Sequence, residues 1–220
     1  MSYKKSLLSI YQTLLDLYGY QNWWPIDTEY HRIMGTDPRE EIVISAVLTQ
    51  NTSWKNVEKA LENIKKHGVL SLEFIRSSHE KTIQDLIRPA GFYRLKTQRL
   101  KEVAVFLNPI DKVRHVKRQE LLSVKGIGKE TADVILLYAG ERMHFVIDKY
   151  TQRFMERFYG IKDNYESLKR FFEENLPKDL KIYKEFHALI DEHAKKYCRS
   201  SPLCKDCPLK DACISASPSF

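Results

Sequence analysis

Four cysteines crowd into sixteen positions as Cys198-x5-Cys204-x2-Cys207-x5-Cys213, and the chain contains no others. Four thiolates so close together suit a tetrahedral zinc or a cubane iron–sulfur cluster, and spacing alone leaves both open. The intervening loops are too short for the long-loop disulfides that staple secreted domains, so a metal or cluster is the first expectation. A second signal is the run Leu121-Leu122-Ser123-Val124-Lys125-Gly126-Ile127-Gly128-Lys129-Glu130-Thr131-Ala132-Asp133. An apolar helix end, a Gly-x-Gly turn and a new helix start follow in order, so backbone amides and a helix N-terminus can face one phosphate. An ordinary tight turn between helices would carry the same pattern. Twenty residues past Gly128 comes Val146-Ile147-Asp148-Lys149-Tyr150, an acid between an apolar segment and a helix start. There a carboxylate caps the helix, and the positive helix end with its N–H groups holds it ionised at neutral pH. A plain cap without catalytic duty would look alike.

Helices must position these groups, because the apolar spacing is three-four almost everywhere and no run alternates as a strand would. Leu7, Tyr11, Leu14 and Tyr18 form a stripe ending at Gly19, and Trp54, Val57, Leu61 and Ile64 form another ending at Gly68. Leu100, Val103 and Leu107 repeat the spacing before Asn108-Pro109, and Tyr183, Phe186, Ile190, Ala194 and Tyr197 run along one long helix into the first cysteine. Gly140 and Gly160 read as helix stops. The 220 residues, 43% hydrophobic and 30% charged, exclude a disordered, collagen-like or low-complexity chain and allow one large domain or two modest ones. With no Gly- or Ser-rich linker, a boundary should fall at short connections near Gly35 and Gly140. Lys and Arg number 36 against 29 Asp and Glu, a net charge of +7 that points to a polyanionic partner. No apolar run approaches the roughly 18 residues that span a bilayer, and Gln12, Thr13 and Asp16 interrupt the N-terminal stretch. A soluble, cytoplasmic protein without a membrane partner is expected.

The Gly126 to Gly128 run resembles a helix-hairpin-helix, the anchor that grips the DNA backbone without reading sequence. Joined to Asp148 at this distance, it is similar to the helix-hairpin-helix DNA glycosylases. The cysteine loop resembles that of the endonuclease III branch, which binds [4Fe–4S] and shares the two- and five-residue gaps after the second and third cysteines. The first gap here is one residue shorter than the family's usual one. The resemblance covers the chain from the Glu41–Leu61 region through Cys213. It implies an all-α fold of two helical domains: a six-helix barrel with the hairpin at 31–142, and a domain of terminal helices from 1–30 and 143–220 with the cluster loop. It further implies a [4Fe–4S] cluster on Cys198, Cys204, Cys207 and Cys213, with zinc as the alternative. The implied partner is double-stranded DNA containing damaged bases, bound by a nucleoid-associated monomer that extrudes a base into a cleft between domains.

The same resemblance assigns site residues one by one. Asp148 is implied as the catalytic carboxylate, and Lys125, Gly126, Gly128, Lys129 and Thr131 as DNA-backbone contacts. Ala46-Val47-Leu48-Thr49-Gln50-Asn51-Thr52 resembles the segment whose glutamine enters the duplex, which makes Gln50 the candidate; a surface amide is the alternative. Pro89-Ala90-Gly91-Phe92-Tyr93 resembles the second insertion loop, with Phe92 either wedging the stack or lying in the core. Bifunctional relatives place a Schiff-base lysine two positions after the second hairpin glycine, where this chain has Glu130. A carboxylate forms no imine, so a monofunctional N-glycosylase is implied. Lys129, one residue earlier, points about 100° away around the helix and suits a phosphate contact. Adenine glycosylases also lack that lysine, but they carry a glutamate where Leu48-Thr49-Gln50 stands and usually an extra C-terminal domain, for which no residues remain.

Asn22-Trp23-Trp24-Pro25, taken with Gly91-Phe92-Tyr93 and Asp148-Lys149-Tyr150, resembles the 3-methyladenine glycosylases of this branch. Glu130, Lys149, Trp23 and Trp24 are then pocket residues, with Trp24 the preferred stacking partner and plain core packing the alternative, expected for at least one of the two tryptophans. An alkylated purine is cationic and stacks on aromatic faces with about 0.5–2 kcal/mol of cation–π attraction. One departure is Leu189 where some relatives carry a pocket lysine after the Phe186-His187 pair. The resemblance gives His187 and His193 no defined role. The rival expectations are the same scaffold acting on uracil, mismatched thymine or an oxidised pyrimidine, and a non-catalytic DNA-binding or redox module. DNA affinity should fall with salt at a slope reflecting roughly three to six phosphates.

Overall fold

Helices begin where a polar side chain can satisfy their first amides. In the computed structural model, which describes residues 6–216, Ser6 caps α1 (Leu7–Tyr18), Asp27 caps α2 (Thr28–Met34), and Asp37 with Pro38 opens α3 (Pro38–Leu48). There follow α4 (Trp54–His67), α5 (Leu72–Ser77), α6 (Glu80–Leu86), α7 (Tyr93–Phe106), α8 (Arg118–Ser123) and α9 (Lys129–Val134). Asp148 caps α10 (Lys149–Phe154), Asn164 caps α11 (Tyr165–Asn175) and Asp179 caps α12 (Leu180–Lys196). Helix α9 runs on as a π-helical turn over Ile135–Ala139 and α10 likewise over Met155–Tyr159, so the chain leaves helix at Gly140 and Gly160. Among the described residues there is no strand, and the fold is all-α. None of the described helices is long and apolar enough to cross a membrane.

The helices group into two compact units, Trp24–Arg142 on one side and the described residues up to Trp23 and from Met143 onward on the other. The second crossing falls just past Gly140. Residues 24–30, expected with the terminal helices, instead fall in the unit that holds the hairpin.

In the Trp24–Arg142 unit, every residue of α3 from Glu41 to Leu48 is buried. Helices α4, α7 and α9 and the π-turn all pack on it. A helix apolar on all sides belongs in a core and shows no sequence stripe. In the other unit α12 packs against α1 and α10. Aromatic residues fill its centre: Phe145 stacks on Phe172 at 4.1 Å, and Tyr183 and Phe186 meet the Phe145 ring edge-on.

Candidate nucleic-acid interface and active site

Val124 and Ile127 anchor the turn between α8 and α9 in the core, leaving Lys125, Gly128, Lys129 and Glu130 exposed. Gly126 has φ +88°, and a Cβ there would meet the Arg99 side chain at 2.3 Å, so this position requires glycine twice over. Gly128 is the N-cap of α9 and brings no capping side chain. Beneath the turn, Gln50 Nε2 donates to the Gly126 carbonyl at 3.2 Å and to Thr131 Oγ1 at 2.9 Å, while Arg99 donates to Gln50 Oε1. The structure thus brings Gln50, Gly126 and Thr131 together. Thr131 is buried below the surface that Lys125 and Lys129 form. Arg99 carries no signal in the sequence; only the fold places it under the hairpin.

Phe92 is 67% exposed and sits in the left-handed region at φ +45°, directly after Gly91 at φ +70°. That exposure at the head of α7 excludes a core position for the ring. Trp24 takes a different environment. Its indole N–H donates to Ser45 Oγ at 2.8 Å, and its ring meets Trp54 at 5.7 Å and Tyr138 at 5.1 Å. Trp54 and Tyr138 are separated from Trp24 by tens of residues, and only the packing of α3 and α4 with the π-turn reveals the cluster.

Lys96 ties the end of α3 to the turn that precedes α7. It is 1% exposed, and its Nζ donates to the Leu48 carbonyl at 2.8 Å and the Ala90 carbonyl at 2.7 Å. Burial, and then the Arg99 charge, pull its pKa down to about 8. The folded chain therefore gives up this proton before the unfolded chain, whose amine titrates near 10.5, and stability should rise with pH between those values. Lys96→Met should abolish that rise. Urea midpoints of both proteins across the window check this, and equal slopes would refute it.

In the other unit, fully buried Phe145, Val146 and Ile147 form the extended rail that delivers Asp148. The Phe145 amide donates to Glu173 Oε1 at 3.0 Å and the Ile147 amide to the Tyr165 hydroxyl at 3.4 Å. Asp148 Oδ1 accepts the Thr151 amide at 2.7 Å, and Oδ2 lies 3.6 Å from His187 Nε2. Burial pushes the Asp148 carboxyl up, but His187 and the Thr151 amide outweigh it and hold the group below the usual carboxylate range. The exposed Lys149 follows it. Trp23 meets the His187 ring edge-on at 5.5 Å, and the Lys195 ammonium lies 5.7 Å from both the Trp23 and Tyr150 rings. Lys195 pairs with buried Asp191. Trp23 lies among the groups around Asp148, and Trp24 lies in the aromatic cluster of the Trp24–Arg142 unit.

The four cysteines are half-buried. Burial raises the thiols of Cys207 and Cys213, and the neighbouring cysteines raise them further. Arg157 Nη1 approaches Cys198 Sγ at 3.6 Å and His193 Nε2 approaches Cys207 Sγ at 3.6 Å, with Tyr18 hydrogen-bonded to the other His193 nitrogen at 2.9 Å. Thiols close enough to oppose each other's ionisation, flanked by N–H groups, fit a group bound through thiolates. Among the described residues, no three or more His, Cys, Asp or Glu are placed to hold a single metal ion.

Residues 44–178 match the model of the HhH-GPD superfamily of base excision DNA repair proteins, and the chain belongs to that superfamily. It is a DNA glycosylase of base excision repair, and DNA is its partner. It is 49% identical to a candidate DNA repair glycosylase of Methanocaldococcus jannaschii, over 95% of this chain and 96% of that one. With endonuclease III of Sulfolobus acidocaldarius it shares 28% identity over 78% of this chain and 79% of the relative. Among solved structures, the H. pylori 3-methyladenine DNA glycosylase bound to 1,N6-ethenoadenine matches with a TM-score of 0.69 and 28% identity, covering 87% of this chain and 98% of that one.

Proposed function

We propose that the chain is a monofunctional N-glycosylase that excises alkylated purines such as 3-methyladenine and 7-methylguanine from duplex DNA, acting as a monomer. The observation that carries the reading is the ionised Asp148 at the head of α10, fixed by the Thr151 amide and faced by His187. The likeness to a 3-methyladenine glycosylase and the Trp24–Trp54–Tyr138 aromatic cluster support the alkylpurine choice.

Lys125, Lys129 and the amides at Gly126 and Gly128 take the phosphates. The exposed Phe92 wedges the stack. Gln50 enters the duplex once its bonds beneath the hairpin give way. Flipping costs a few kcal/mol, less where alkylation has weakened the pair. Trp24 stacks on the cationic base, and Glu130 and Lys149 contact the extruded nucleoside. As the C1′–N bond breaks, the electron pair leaves with the base, whose existing positive charge makes protonation unnecessary. The Asp148 carboxylate stabilises the cationic sugar until water adds at C1′ and loses a proton. Glu130 offers no amine for an imine, so the strand stays intact.

Cys198, Cys204, Cys207 and Cys213 are the residues we assign to a [4Fe–4S] cluster. When bound, it supplies iron–thiolate bonds that would stiffen the loop carrying Arg199, Lys205 and Lys210. Iron and acid-labile sulfide analysis separates this from zinc.

Mass analysis of bases freed from methylated duplex DNA tests the function. Release of alkylpurines is expected, with none of uracil, mismatched thymine or oxidised pyrimidines from matching duplexes. Release from one of those duplexes instead refutes the substrate, and a borohydride-trapped enzyme–DNA adduct refutes the monofunctional assignment.

A further inference from the structure

His187 is 3% exposed on α12, and its ring points Nε2 at the same carboxylate that caps α10. Three features fix that ring. The Trp23 indole packs edge-on against it at 5.5 Å. The loop delivering Trp23 is pinned by buried Glu185, which accepts the Gln21 amide at 2.7 Å and the Asn22 amide at 2.9 Å. One helical turn beyond His187 lies buried Asp191, and one turn further Lys195, all on one face of α12. Asp191 interacts electrostatically with both His187 and Asp148, and its other partner is Lys195.

Asp148 needs such support. A capping carboxylate satisfied by the Thr151 amide has one oxygen tied and the other free to rotate with the side chain. A buried imidazole N–H on that second oxygen removes the remaining freedom. The approach of 3.6 Å lies beyond a hydrogen bond but within ion-pair reach, the loose state usual before substrate is bound.

Resting on the glycosylase reading above, we propose that His187 is the positioning residue for Asp148, aligned by Trp23 and backed by Asp191, so that Oδ2 is fixed for the developing cation at C1′. In this role Trp23 serves the imidazole, while Trp24 alone stacks on the base. The charged and titratable groups around Asp148 are His187 and Asp191 from α12, with Lys195 acting through Asp191; from its own helix it receives the Thr151 amide. Removing His187 leaves Asp148 near Asp191 without the opposing donor, so protonation of Asp148 should come at higher pH.

The test compares wild type, His187→Phe, His187→Gln and Asp148→Asn in single-turnover base release from methylated duplex DNA. Binding is measured separately on a duplex with a tetrahydrofuran abasic analogue. His187→Phe keeps the ring volume without a donor. Its rate should fall about 10- to 100-fold, with binding unchanged and the acid limb of the pH–rate profile moved upward. His187→Gln, which keeps an N–H donor, should recover part of the rate. If His187→Phe does not fold, His187→Gln carries the test alone, since loss of the imidazole must still move the acid limb. A lowered thermal midpoint with an unmoved acid limb means that His187 only packs, and overturns the proposal. Full activity in His187→Phe alongside an inactive Asp148→Asn also overturns it and leaves the glycosylase reading standing. A wild type that frees no base overturns that reading itself.

Discussion

Asp148→Asn should lower single-turnover base release by about 10³-fold while leaving affinity for a tetrahydrofuran duplex unchanged. Asparagine caps helices as well as aspartate, so its side-chain oxygen can still accept the Thr151 amide and α10 should still form. What disappears is the charge. In the wild type that charge is present at neutral pH because His187 and the Thr151 amide outweigh the effect of burial. The sign for stability follows: a depressed carboxylate contributes fully above its ordinary value of 3.8 and loses the contribution as pH falls through the lower folded value. Thermal midpoints of the two proteins should therefore differ most at neutral pH and converge in acid. A variant with near-normal release and normal DNA binding would remove Asp148 from catalysis and leave it a helix cap.

The parts of this site that were legible in the sequence are those set by local chemistry. Gly19 and Gly160, both at positive φ, end helices where their stripes stop. Asp148 is readable as a cap because a buried apolar run meets a helix start within a few residues. Spacing also brings the hairpin glycines and the cysteine set into view. Burial on all sides hides α3, because a helix with no polar face has no stripe to read. Arg99 under Gly126, and Trp54 and Tyr138 around Trp24, depend on contacts between distant segments that no local pattern records. The Gly35 signal for a domain boundary marks only the end of α2, since Trp24 and the residues after it group with the hairpin's unit. His187, Asp191 and Lys195 are a visible i, i+4, i+8 series, yet the series acquires meaning only once α12 is seen to face Asp148.

Arg118→Ala should be the most destabilising single change in the hairpin, at about 3–5 kcal/mol. Asp133 is completely buried, and Arg118 grips its two oxygens at 2.7 and 2.9 Å, tying α8 to α9 across the turn. Truncating the arginine takes two hydrogen bonds and a charge partner from a carboxylate that water cannot reach. The angle between the two helices sets how Lys125, Gly126 and Gly128 face a phosphate, so DNA affinity should fall along with stability, as should its dependence on salt. The double variant Arg118→Met/Asp133→Leu separates charge from packing. Replacing both partners by apolar groups removes the desolvation penalty with the attraction, and it should recover most of the lost stability. Urea unfolding of the two variants, with DNA titrations at several salt concentrations, measures both effects. If the double variant is as unstable as Arg118→Ala, shape rather than charge holds the hairpin; if Arg118→Ala melts like wild type, the ion pair does not hold α8 to α9.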